Sequence, residues 1–196
     1  MKFLKRFKEE DDIHAKYEVI SELFASRIGR VLGMPVLDLE VASEGIVMDY
    51  LPDRATFEVK NLKELKRALA FEEWLLNIDL KEDHILSKNN YGYIIDHGHV
   101  LLAWKPLYYV QEILHKPVTR FKLWSDKESY LEGVEIIKSL DKQNRNVILK
   151  ETVNEISEFF KGADLSEYLY FSEKILDFRE RILDSLFIGE EIQLQH

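Results

Sequence analysis

Hydrophobic positions in the first third of the chain predict one helix followed by two strands. In residues 16–32 the apolar side chains recur at spacings of three and four, so they share one face of a helix. Gly33 suits the position just after a helix end, and Pro35 cannot continue the helix. Residues 36–41 then alternate between apolar and polar, and residues 46–51 form a second strand-like run.

The remainder of the chain predicts a hairpin between helices. Asn61 followed by Glu64 resembles a capping box at the start of a helix that runs to about residue 76. Residues 84–96 resemble two short strands around a polar turn. Asp164 followed by Glu167 is a second helix-start signal. Further helices are predicted near 106–115, 126–140, 147–160 and 165–186.

This order of elements predicts an α+β fold, because the strands fall in the first half and the helices dominate the second. We expect a small strand-plus-helix lobe over residues 1–52, which includes the connection between lobes. A larger and mainly helical lobe follows over residues 53–189. Residues 190–196 are predicted to form a loose tail.

Composition narrows the classes of protein that fit. The 196 residues include no cysteine, which excludes disulfides, thiol catalysis and Cys-ligated zinc and fits a cytoplasmic protein. The net charge of −9 argues against a broad nucleic-acid surface, so we expect no nucleic-acid partner. No stretch approaches ~20 consecutive apolar residues, so we expect no membrane span.

Residues 70–99 concentrate the candidate chemistry. A helical segment leads into Asn77 and Asp79, and the apolar strand after the turn ends at Asp96 and Gly98. Asn and Asp are common at helix ends and turns for purely local reasons. His97 and His99 would point to opposite faces if the strand continued, so at most one of them would join a site.

The order and spacing of these motifs resemble those of the HipA-like kinases, especially short relatives with an Ile-Asp-His-Gly motif. The resemblance rests on residues 22–36, on Ile-Val-Met-Asp-Tyr-Leu at 46–51, on Asn-Ile-Asp at 77–79 and on Ile-Ile-Asp-His-Gly-His at 94–99. It implies a protein-kinase-like fold and phosphoryl transfer from ATP to a Ser/Thr or small-molecule hydroxyl, with Mg or Mn as the metal.

The resemblance also implies roles for individual residues. Asp79 would be the catalytic base, and Asp96 would bind the metal. Glu22 would pair with a phosphate-contacting lysine on the first strand. The backbone of the connection between lobes would meet the adenine; its residues are Met48, Asp49, Tyr50 and Leu51.

The sequence departs from the pattern of this family at several points. His84 stands where these kinases carry the second metal-binding Asn, and Leu80 and Lys81 replace their Arg-His pair. An imidazole at a metal position suits Mn or another transition metal better than Mg. No glycine precedes Gly29, so the glycine-rich loop over the phosphates is absent.

The chain also begins near the expected lysine strand. Lys2, Lys5 and Lys8 are all candidates for the phosphate-contacting lysine, and the strand-like surroundings favour Lys5. Either this is a minimal or degenerate kinase fold, or a partner chain completes the first lobe.

Three hypotheses therefore remain open at the level of the sequence. The first is an active kinase in which Asp96, with His84, holds the metal. The second is a pseudokinase or kinase-fold binding module, motivated by the missing loop and by His84. The third is an unrelated α+β domain whose Asp-His-Gly motif is a coincidence, and a structure with Asp79 and Asp96 far apart would establish it.

Overall fold

The computed structural model describes residues 1–7 and 14–189 of the chain. This part contains six α-helices and two three-stranded antiparallel sheets, which confirms the predicted combination of helices and strands. Both Lys8 and the predicted tail over 190–196 lie outside the described residues. The elements are β1 (Lys2–Arg6), α1 (Ala15–Val31), β2 (Glu40–Ala42), β3 (Gly45–Asp49), β4 (Asp53–Arg54), α2 (Leu62–Trp74), β5 (Ile85–Lys88), β6 (Tyr91–Ile94), α3 (Leu107–Ile113), α4 (Lys127–Lys138), α5 (Lys142–Phe159) and α6 (Ser166–Ile182).

The first sheet has the order β1-β3-β2, with α1 packed against it. Antiparallel pairing places Lys5 opposite Ile46, whose side chain belongs to the same buried cluster as the apolar face of α1. Gly45 permits this pairing, because a Cβ there would lie 2.1 Å from the Lys5 carbonyl oxygen. The position of Lys5 is therefore fixed by the sheet.

The second sheet is a hairpin, β5 and β6, extended by the short strand β4. Asn89 and Asn90 form its turn with φ of 54° and 60°, the left-handed backbone that a two-residue hairpin turn requires and asparagine tolerates. The Ile94 backbone N–H donates to the Pro35 carbonyl at 2.8 Å, which ties the hairpin to the segment after α1. That contact holds the residues after β6 beside α1.

The helical half packs onto both α2 and α1. Gly133 lets α4 approach α2 closely, since a Cβ there would lie 2.1 Å from the Arg67 carbonyl oxygen. Arg27 on α1 donates to Glu155 on α5 at 2.6 Å. One cluster of buried apolar side chains extends from α1 to α6, so the strand-bearing and helical parts share a core. None of the described helices is long and apolar enough to cross a membrane.

A buried ion pair ties α2 to α6. The Glu73 carboxylate accepts from the Arg179 guanidinium at 2.8 Å and from the Thr119 hydroxyl at 2.6 Å. Arg179 also donates to the Leu114 and Lys116 carbonyl oxygens at 2.9 and 2.8 Å. Every polar group of this cluster has a partner, as a buried charge requires.

One predicted strand and one predicted cap are wrong. The strand predicted over 36–41 is reduced to β2, because Val36 and Leu37 are both buried and Val36 forms only a single bridge, to Ile94. Asn61 precedes α2 but its side chain does not cap the helix. Its amide instead accepts from the Gly92 N–H at 2.7 Å and donates to the Gly92 carbonyl at 2.8 Å.

The start of α5 also differs from the prediction. The helix begins at Lys142, five residues before the predicted start at 147. Asp141 caps it by accepting from the Asn144 N–H at 3.1 Å. The first turn is polar, so the spacing of apolar residues gave no signal there.

Candidate functional site

Three predicted site residues from distant parts of the chain meet at one point. The Lys5 ammonium lies 2.5 Å from Glu22 Oε1 and 3.0 Å from Asp96 Oδ1. Lys5 comes from β1, Glu22 from α1 and Asp96 from the segment after β6. Asp96 is 91 residues from Lys5 in sequence, so the fold creates this contact.

The electrostatics of this cluster favour the charged form of each of its partly exposed members. Burial would lower the pKa of Lys5, but the carboxylates of Glu22 and Asp96 outweigh it and raise that pKa. Burial opposes ionisation of Asp96, whereas Lys5 and His84 lower its pKa below the usual value. At neutral pH the cluster therefore holds an ammonium beside an ionised carboxylate.

His84 is the second neighbour of Asp96. Its Nε2 lies 3.4 Å from Asp96 Oδ2, and a short 3₁₀ turn over Glu82–His84 carries it there from the loop before β5. Its Nδ1 is buried and has no hydrogen-bond partner among the described residues. His84 therefore presents Nε2, the nitrogen that faces Asp96, to any ligand between them.

These two side chains can hold a divalent cation only with help from a ligand. Within residues 1–7 and 14–189, no group of three or more His, Asp or Glu side chains is arranged as a metal site. Asp96 supplies oxygen and His84 supplies nitrogen. Mg²⁺ commonly takes one or two carboxylates together with substrate phosphates and water, so Asp96 fits a cation that is shared with a phosphate group.

The backbone around the cluster is unusual. Asp96 has φ of 66°, which Asp adopts more readily than most residues. Leu76 (φ 60°) and Leu101 (φ 66°) share this left-handed conformation, although their side chains disfavour it. The Leu101 N–H donates to the Leu75 carbonyl at 2.8 Å, so the loops after α2 and β6 brace each other. Strained residues of this kind concentrate at functional sites.

Asp79 lies outside the Lys5 cluster. Its carboxylate is 3.0 Å from the Lys81 ammonium, and its backbone N–H donates to the Asn77 side-chain oxygen at 3.2 Å. No hydrogen bond or ion pair joins it to Lys5, Glu22 or Asp96 in the described chain. The structure thus brings Lys5, Glu22, Asp96 and His84 together and places Asp79 on a separate loop.

A chain of buried hydrogen bonds nevertheless connects the two places. Glu22 Oε2 accepts from the His97 backbone N–H at 3.2 Å, and the His97 ring contacts Glu72 Oε1 at 2.6 Å. The other Glu72 oxygen accepts from the Asn77 amide at 2.7 Å, and Asn77 in turn holds the Asp79 N–H. The path from Lys5 to Asp79 therefore runs through Glu22, His97, Glu72 and Asn77.

Sequence reasoning missed Glu72 in this path and left the role of His97 open. Glu72 is fully buried although Lys and Glu residues surround the start of its helix. The sequence around Glu72 does indicate its burial, because Glu72 and Glu73 interrupt an otherwise apolar stretch over 68–71 and 74–76. Acidic residues inside such a stretch need buried partners.

The protonation of His97 follows from these neighbours. Burial would lower its pKa, but the Glu72 carboxylate, with Glu22 and Asp96 at longer range, outweighs burial and raises the pKa. The Glu72 carboxylate therefore favours the protonated form of the His97 ring relative to a free imidazole. Sequence spacing alone does not predict this contact, because Glu72 and His97 lie 25 residues apart.

A cavity of about 220 Å³ opens beside the cluster. Lys5, Glu22 and Asp96 are among the polar residues that line it, and apolar side chains from β1, β3, the segment after α1 and the end of the hairpin complete most of the lining. Of the predicted adenine-contacting residues, Met48 lines this cavity. Asp49 instead pairs with Lys2 at 3.2 Å, Tyr50 is exposed and Leu51 is buried outside the lining.

Comparison with known proteins does not extend this picture. No protein-family model, no curated protein and no solved structure matches the chain. The resemblance to HipA-like kinases accordingly rests on the residues quoted above.

Proposed function

We propose that this protein is a HipA-like, kinase-fold phosphotransferase that uses ATP and a divalent cation. The observation that carries the proposal is the meeting of Lys5, Glu22 and Asp96 at one end of a cavity. Kinase-type catalysis requires a lysine paired with a helix glutamate and an aspartate for the metal in the same cleft. Lys5 and Glu22 supply the first pair and Asp96 the second element.

The cluster can act on phosphate groups through charge. The Lys5 ammonium, oriented by Glu22, would bind phosphate oxygens at the mouth of the cavity. Asp96 and His84 would hold the cation against the same phosphates. A bound divalent cation neutralises charge that develops on the transferred phosphoryl group.

Asp79 would serve the acceptor hydroxyl of a Ser/Thr or small-molecule substrate. Its carboxylate is partly exposed, so a substrate hydroxyl can reach it. The Lys81 ammonium lies beside this carboxylate and would attract the phosphate group that is transferred to the hydroxyl there. The buried path through Glu72 and Asn77 would fix the loop of Asp79 relative to Lys5.

Phosphate transfer from labelled ATP tests this proposal. We expect incorporation by the wild-type protein and its loss in Asp79→Asn and Asp96→Asn. Asn at position 96 keeps the backbone preference for positive φ, so the change isolates the charge. Asp83→Asn is the matched control, because Asp83 lies in the same loop as Asp79 but pairs with Arg54 on the surface. Equal incorporation in all four proteins would contradict the proposal.

A second candidate, a kinase-fold binding module without catalysis, is favoured by the size of the cavity. Its 220 Å³ is below the ~300–1,000 Å³ of typical ligand pockets. β1 is also the edge of its sheet, with Phe3 and Leu4 exposed, so a partner chain could add a strand there. This candidate predicts capture of a protein partner that Asp79→Asn and Asp96→Asn leave unchanged. Asp79-dependent phosphate transfer would exclude it.

A further inference from the structure

A second and larger cavity lies between α3 and α6. Its volume is about 740 Å³, within the ~300–1,000 Å³ of typical ligand pockets. None of the residues that line the Lys5 cavity lines it. The groove has no role in the proposed phosphoryl transfer.

The walls of the groove are mostly apolar and aromatic. Val110 and Ile175 form part of its lining and pack, as a separate buried cluster, with Leu76 and Leu102. Side chains packed in this way do not need to rearrange to create the groove. The aromatic residues of the lining are Tyr17, Trp104, Tyr168, Tyr170, Phe171 and Phe178.

Cationic side chains lie over aromatic rings of the groove lining. The Lys105 ammonium lies 4.9 Å from the ring centre of Trp104, and the Lys174 ammonium lies 5.3 Å from that of Tyr170. The Arg181 guanidinium lies 5.7 Å from the ring centre of Phe178. None of these cations forms an ion pair with a described carboxylate, in a chain whose net charge is −9. Their charge therefore remains available to a ligand.

The acidic residues of the lining lie toward the other end of the groove. Asp164 and Glu167 are at the start of α6, and the Asp164 carboxylate already accepts from the Ser166 N–H and hydroxyl. Lys174 and Arg181 follow Glu167 by seven and fourteen residues, which is ~10 and ~21 Å along a helix. The groove is thus acidic near the start of α6 and basic toward its end.

We propose that this groove binds an organic anion with a flat aromatic or apolar body. The aromatic walls would contact the body, and the cations distributed along the groove, Lys105, Lys174 and Arg181, would attract the anionic group. The volume suits a small molecule rather than a single inorganic ion. This binding requires neither ATP nor Asp79, so it holds whether or not the protein transfers phosphate.

Two fluorescent probes that differ in charge test the site. Anilinonaphthalene sulfonate is an aromatic anion, and phenylnaphthylamine is its uncharged analogue. Titrations of both would use the full-length protein as wild type and as Lys174→Gln and Arg181→Gln. Lys138→Gln is the control, because Lys138 is exposed at the end of α4, outside the groove lining. Lys5→Met reports on probe that enters the other cavity.

We expect saturable binding of the anionic probe that Lys174→Gln and Arg181→Gln each weaken roughly two- to fivefold, the equivalent of one cation–ligand contact. Lys138→Gln and Lys5→Met should leave it unchanged, and neither groove variant should weaken binding of the uncharged probe. Binding that responds to Lys5→Met but to neither groove variant would overturn the proposal. So would equal losses for the charged and uncharged probes.

Discussion

Glu72 and Glu73 are neighbours on α2, and both are fully buried, but they belong to different kinds of structure. Glu73 binds Arg179, Thr119 and backbone groups in a cluster that includes none of the residues lining the Lys5 cavity. Glu72 binds His97 and Asn77, in a path that ends at the partly exposed Lys5 and Asp79. Adjacent residues on one helix thus contact two different sets of partners.

The difference shows how burial can serve stability or function. Arginine cannot lose its proton in a protein, so Arg179 keeps a buried positive charge, and the Glu73 carboxylate lies 2.8 Å from it. Histidine can lose its proton, so the Glu72–His97 pair has a neutral alternative. We therefore expect the Glu73 cluster to govern stability and the Glu72 path to govern the positions of Lys5 and Asp79.

The largest effect should come from Glu73→Gln. This change leaves the buried Arg179 charge without its carboxylate, and breaking such a pair typically costs ~3–5 kcal/mol of unfolding free energy. Denaturant unfolding at neutral pH measures it. A loss below ~1 kcal/mol would show that Arg179 is balanced by its backbone partners alone.

Glu72→Gln should cost less, ~1–3 kcal/mol, because His97 can become neutral when the carboxylate is gone. If the proposed function holds, the same change should also slow phosphate transfer, since Asn77 loses the charged partner that orients the Asp79 loop. Unfolding and transfer assays on Glu72→Gln and Glu73→Gln together separate the two roles. Equal losses of stability would remove the distinction between the two glutamates.

The pH dependence of stability offers a finer test. The pKa of His97 is raised in the folded state, so its stabilising contribution is complete below the unfolded pKa of ~6.5 and is lost as pH rises through the folded pKa. Unfolding free energy should therefore fall with pH above ~6.5. His97→Gln should remove the part of this decrease that comes from the deprotonation of His97. The pKa of Asp96 is lowered in the folded state, so its contribution to stability is lost in the acid range, as pH falls through the folded pKa.

The smallest effect on the unfolding free energy should come from breaking an exposed ion pair. Arg30 and Asp38 are 2.7 Å apart but both are well exposed. Arg30→Gln should change the unfolding free energy by less than ~1 kcal/mol, since water screens such pairs. A change as large as that of Glu72→Gln would mean that burial does not explain the ranking.

Local patterns predicted the elements that depend on local interactions. The apolar face of α1, its ending near Gly33 and the hairpin turn at Asn89 and Asn90 all follow from spacing and turn chemistry. The strand expected over 36–41 failed because Val36 and Leu37 are both buried against neighbouring elements, which an alternating pattern does not represent. Tertiary packing decided that segment.

Only part of the candidate site could be predicted from the sequence. Lys5, Glu22, Asp96 and His84 were proposed as site residues through the resemblance, and no spacing rule could have placed a residue of β1 beside one from the end of the hairpin. The Glu72–His97 contact was missed because a pair of adjacent acids on a helix usually faces water. The groove between α3 and α6 depends on how two helices distant in sequence pack.

Stabilisation of the protein by ATP with Mg²⁺ or Mn²⁺ tests directly whether the Lys5 cluster binds a nucleotide. A ligand at about a hundredfold excess over its dissociation constant raises the unfolding free energy by ~2.7 kcal/mol. We expect a metal-dependent rise for wild type and for Lys2→Met, whose lysine is on the same strand but pairs with Asp49. Lys5→Met and Asp96→Asn should lose that rise. An equal rise in all four proteins would place the nucleotide elsewhere and contradict the account.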